Sequence, residues 1–133
     1  MAKHSQVQYY NEAMEKQMGF AAIVQTGNTL RLSGIISVDE QMNVVGQGDM
    51  AAQLNQVYDI MEKTLAMHQA TLANVVNEMM FATDLAALGD PAAIGARVAR
   101  YADCAPPAAT AVQVSGLFVP GAMIEIQATA VLE

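Results

Sequence analysis

Residues 106–131, PPAATAVQVSGLFVPGAMIEIQATAV, open with two prolines and then hold two apolar-rich runs, roughly 109–115 and 122–131, joined through Val119-Pro120-Gly121. Proline lacks an amide hydrogen and clashes with the preceding turn, so the pair stops any helix that runs into it. The chain must therefore finish as sheet. Upstream, residues 21–26 and 29–33 are short apolar runs flanking Gly27-Asn28, a pair suited to a tight hairpin. Asp39-Glu40-Gln41-Met42-Asn43 with Gly46 and Gly48 reads as a polar loop. Asp49 then caps a helix to about His68, because Leu54, Val57, Tyr58, Met61 and Leu65 recur at i, i+3, i+4 spacing. Residues 74–83 suit a buried or half-buried strand, and Asp90-Pro91 opens a second helix through Tyr101.

The order ββ-α-β-α-ββ predicts an α+β fold, a mixed sheet with two helices packed on one face. With 133 residues the chain is expected to be a single domain, with 1–18 as an N-terminal segment and 19–133 as core. Apolar residues make up 53% and charged residues 14%, with ten methionines, more apolar surface than one small domain hides by itself. Self-association follows as an expectation, with a second subunit covering the open face of the sheet. The net charge of −7, with six Lys and Arg spread singly, offers no cluster for a run of phosphates, so nucleic-acid binding is not expected. No signal-peptide core or membrane span is read from the pattern, and the lone Cys104 suits a reducing compartment, so a cytoplasmic location and no membrane association are expected.

The 106–131 stretch resembles the C-terminal signature of the YjgF/RidA (Rid) family, also labelled endoribonuclease L-PSP, which commonly reads P-A-R-[ST]-x-V and then [VI]-E-I-E-A-x-A. Two further segments agree in order and separation. Gly27-Asn28 through Ser33-Gly34 is similar to G-N-x-x-x-x-S-G, and Phe81-Ala82-Thr83-Asp84 is similar to F-x-T-D. The resemblance implies a chorismate-mutase-like fold, a homotrimer with a central barrel, and small-molecule clefts between neighbouring subunits. It also implies deamination of enamines and imines; no cofactor and no metal are expected.

The chain departs from that pattern where the chemistry resides. Ala109 stands at the family's arginine, whose planar fork grips a substrate carboxylate. Gln127 stands at the second glutamate, and a carboxamide can orient water but cannot take its proton. Phe20 replaces a tyrosine. The backbone near Gly34 and Ala111, which the resemblance places against the ligand, is retained. Arg31 falls on the strand face opposite Leu30 and Leu32, either as a replacement anion site or as an exposed or ion-paired arginine. Glu125 shares a face with Gln127 and is either a substitute acid/base group or a structural salt-bridge or rim residue.

The remaining residue types have plainer roles. His68 is expected to be packed and hydrogen-bonded, His4 solvated, and Cys104 small and buried or at an interface. The methionines at 14, 18, 61, 67, 79, 80 and 123 read as core and interface filler. Gly46-Gln47-Gly48 lacks the Lys-Ser/Thr pair of a phosphate loop, and no His/Cys/Asp set has metal-ligand spacing. Three functions stay open: a hydrolase of C=N compounds with altered specificity that is not a typical 2-iminopropanoate deaminase, a ligand-binding or regulatory trimer without catalysis, and a disfavoured endoribonuclease or translation inhibitor.

Overall fold

The computed structural model describes residues 6–133. His4 lies outside the described residues. The elements run β1 (Gln6–Gln8), α1 (Glu12–Met18), β2 (Ile23–Thr26), β3 (Thr29–Leu32), β4 (Ile35–Ile36), α2 (Met50–Ala66), a 3₁₀ turn (Leu72–Asn74), β5 (Val75–Ala82), α3 (Leu85–Leu88), α4 (Pro91–Arg100), β6 (Ala108–Gln113) and β7 (Ile124–Val131). One sheet forms in the order β1-β2-β3-β7-β5-β6, with β4 continuing the pairing on β7. Among the described residues only β5 and β6 are parallel, and the α3–α4 crossover supplies the long connection such a pair requires.

The mixed sheet and the two principal helices agree with the sequence reading. The structure adds β1, α1, β4 and α3. The three residues of β1 and the two of β4 are too short to show a period, and both are recruited by pairing with β2 and β7. Helix α1 is set by local chemistry. The buried Glu15 carboxylate accepts the amide N–H groups of Tyr10 and Asn11 at 3.0 and 2.9 Å, satisfying donors at the helix start. Gly19, at φ 86°, closes the other end in a left-handed conformation that glycine adopts without strain.

Alternation divides the sheet cleanly. Ile124, Ile126, Ala128 and Ala130 of β7 are buried with Leu30 and Leu32 of β3 and the inner side of α2, whose Leu54, Val57, Tyr58, Met61 and Leu65 are fully enclosed. Helix α2 lies on β4 and β7, and α4 packs on α2. The other face presents Met79 and Phe81 of β5 opposite Gln127 and Glu125 of β7, with Thr110 and Val112 of β6 in the same rows. Strand β6 is exposed along its whole length.

Candidate functional site

Where β4 pairs with β7, the side chain of Glu125 lies over Gly34. A β-carbon built on Gly34 would come 2.6 Å from the Glu125 carboxyl carbon, so the absence of a side chain at Gly34 is what lets the carboxylate occupy that place. This floor belongs to a cavity of about 560 Å³ enclosed by α1, the β3–β4 segment, the 38–42 turn and one side of α2. Its walls include Met14 and Met18 of α1, Phe20, Ile36, Ile60 of α2 and Phe118.

Most polar groups at its border are already engaged. Ser33 Oγ donates to the Ala21 carbonyl at 2.6 Å, Thr64 Oγ1 to the Ile60 carbonyl at 2.7 Å, and Gln56 Nε2 to the Val38 carbonyl at 3.0 Å. Asp39 closes its own turn by accepting from the Asn43 and Gln41 amides at 2.9 Å each, bonds that hold its carboxyl below the usual range, with Asn43 the larger contributor. Glu125 differs: its half-buried side chain forms no ion pair or hydrogen bond among the described residues, and desolvation alone pushes its carboxyl above the ordinary value.

The residues singled out in the sequence divide into three places. Phe20, Gly34 and Glu125 share the cavity. Arg31 and Gln127 do not line it. Arg31 pairs with Thr129 and is exposed on the open face of the sheet, the face that also carries Gln127. It makes no ion pair among the described residues. Ala109 and Ala111 sit on β6, in register with Glu78 and Met80, exposed and away from the cavity of their own chain. Cys104 packs, half-buried, against the core. His68 is half-buried, but its Nε2 has no partner among the described residues, in contrast to the hydrogen-bonded histidine expected.

A profile described as Endoribonuclease L-PSP matches residues 10–132, nearly the whole chain. The protein belongs to this YjgF/Rid family. The protein DfrA of Myxococcus xanthus is 38% identical over 111 residues, covering 84% of this chain and 82% of DfrA. The 3-aminoacrylate deaminase RutC of Acinetobacter baylyi is 34% identical over 111 residues, covering 84% of this chain and 85% of RutC. In structure, the YjgF gene product of E. coli superposes with a TM-score of 0.84 over 97% of this chain and 100% of that one, at 24% identity, a likeness of fold.

Within this Rid protein, α1 lines the cavity without any motif of its own in the sequence. Met14 and Met18 read as filler, and Ile60, Lys63 and Phe118 carry no motif. The available signal was the i, i+4 spacing of Met14 and Met18 just before Gly19, which marks one apolar stripe on a short helix.

Proposed function

We propose that the protein hydrolyses C=N bonds of small molecules, an enamine or imine deaminase-like hydrolase whose specificity differs from that of the amino-acid-derived type. The observation that carries this reading is Glu125, an unpaired, half-buried carboxyl group at the floor of an apolar cavity with its pKa raised by burial. A base is most effective when its pKa approaches the working pH, and desolvation moves Glu125 in that direction. The relationship to a 3-aminoacrylate deaminase, whose substrate is itself an enamine, supports the same chemistry.

In this scheme an enamine first tautomerises to the imine. Glu125 takes a proton from water as the oxygen bonds to the imine carbon, and the nitrogen gains a proton. The resulting carbinolamine loses its hydroxyl proton as the C–N bond breaks, leaving a carbonyl compound and ammonia. One water is consumed and no electron is transferred. Gln127, one side-chain repeat further along β7, can hydrogen-bond but cannot replace Glu125 as proton acceptor.

The assembly proposed is a homotrimer in which β6 of a neighbour, with Ala109 and Ala111, covers the cavity mouth. The exposed β6 and the uncovered sheet face support it. Imines generated in situ by an amine oxidase or an amino-acid oxidase, with carbonyl release followed, test the chemistry. Wild type accelerates release, and Glu125→Gln loses about 10²- to 10⁴-fold of that acceleration, the usual contribution of a positioned proton acceptor. No acceleration with any imine overturns the hydrolase reading and leaves ligand binding without turnover, which Ala109 and Gln127 at the family's catalytic positions favour.

A further inference from the structure

We propose that the ligand of this cavity is an apolar cation without a carboxylate, an aliphatic or aromatic amine or the iminium form of its imine. The proposal deepens the C=N reading by naming its substrate class, and rests on that reading for the reaction but not for binding. Three observations carry it.

The first is charge. Glu125 lies at the floor and Asp39 and Glu40 on the turn above, while Lys63 is the one cationic side chain lining the cavity among the described residues. Glu15 also borders the cavity, but two backbone N–H groups already occupy its oxygens. A ligand carboxylate would be desolvated beside a carboxylate that itself lacks a partner, and no guanidinium lines the wall to hold it. A protonated amine or iminium instead supplies Glu125 with the counter-charge it lacks in the free protein.

The second is the wall. Met14, Met18, Ile36 and Ile60 give apolar surface, and about 560 Å³ is within the range of small-molecule sites, so the ligand has an apolar body. The third is aromatic content: the rings of Tyr10, Phe20 and Phe118 border the same space, and aromatic faces attract cations and not anions.

Calorimetric titration at neutral pH with 2-phenylethylamine, 2-phenylethanol and 3-phenylpropanoate separates charge from shape. The amine is expected to bind tighter than the carboxylate by about tenfold or more, the effect of one partly desolvated charge pair. Glu125→Gln should remove most of the amine's advantage and leave the alcohol unchanged. Equal or tighter binding of the carboxylate, no binding of the amine at millimolar concentration, or an equal effect of Glu125→Gln on amine and alcohol overturns the proposal. If the variant does not fold, the three-ligand comparison on wild type decides alone. Turnover distinguishes the two readings. Amine binding as expected, with no imine hydrolysed, removes the hydrolase reading and retains the cation site. Faster hydrolysis of amino-acid-derived than of amine-derived imines removes the cation site and retains the hydrolase.

Discussion

Glu125 is a carboxyl group held in a place that penalises its charge, and this has a thermodynamic signature separate from activity. Its folded pKa is raised above the ordinary value of 4.5 by desolvation, so the folded protein binds the proton more tightly than the unfolded chain does. Stability from this group is therefore present below pH 4.5 and is lost as pH rises through the folded pKa. The titratable groups bordering the same cavity are Tyr10, Glu15, Asp39, Glu40 and Lys63. Glu125→Gln keeps the shape and removes the titration, so the variant should gain Tm relative to wild type between pH 4 and pH 7. An unchanged difference across that range would mean that Glu125 is not desolvated in solution. At this scale the sequence was partly legible: strand alternation placed Glu125 and Gln127 on one face. It could not separate them. Only the pairing of β4 with β7 puts Glu125 over Gly34 and leaves Gln127 outside the cavity.

At the scale of elements, α2, α4 and β5 are tied by a buried polar cluster that no periodicity announces. Glu78 is fully buried on β5, and its carboxylate accepts from Tyr58 Oη of α2 at 3.1 and 3.0 Å. Tyr101 Oη, just beyond α4, donates to it at 2.7 Å, and Arg97 of α4 at 2.6 Å. The two tyrosine rings meet edge to face at 5.9 Å. Burial, joined by the adjacent Glu78 carboxylate, pushes both phenols well above their usual range, so they remain donors. Removing Arg97 leaves an uncompensated buried carboxylate, so Arg97→Ala should destabilise by about 3–5 kcal/mol, and Tyr101→Phe by about 1–3 kcal/mol, in chemical denaturation. A loss under 1 kcal/mol for both would mean the cluster is already hydrated. Helix α2 was readable from its apolar stripe and its Asp49 cap, whose carboxylate accepts from the Ala52 amide at 3.0 Å. Gln53 on the same helix was not. Its fully buried amide donates to the Gly46 and Gly121 carbonyls and accepts from the Met123 amide, contacts fixed by segments up to 70 residues away that no local pattern encodes.

For the whole molecule, the question is what covers the second face of the sheet. The helices occupy one side, and the other presents Met79, Phe81 and Val112 in adjacent rows beside an edge strand whose six residues are all exposed. An uncovered apolar sheet face with an unpaired edge invites association. The excess of apolar residues already pointed that way in the sequence, but composition does not specify which surface is used. The register does. The proposed trimer buries this face around a central barrel and sets β6 of each subunit against the cavity of the next. Val112 lies on the exposed face in register with Phe81, so in that assembly Val112→Asp would bury a carboxylate without a partner in each interface, at a cost of about 3 kcal/mol or more per copy. Sedimentation should therefore find three chains of 14.1 kDa for wild type and a folded monomer for the variant. If the neighbour's β6 completes the site, the variant's amine binding should fall with the assembly although no cavity residue has changed. A monomeric wild type would overturn the trimer. A monomeric variant that binds as tightly as wild type would leave the trimer standing and place the whole site within one chain.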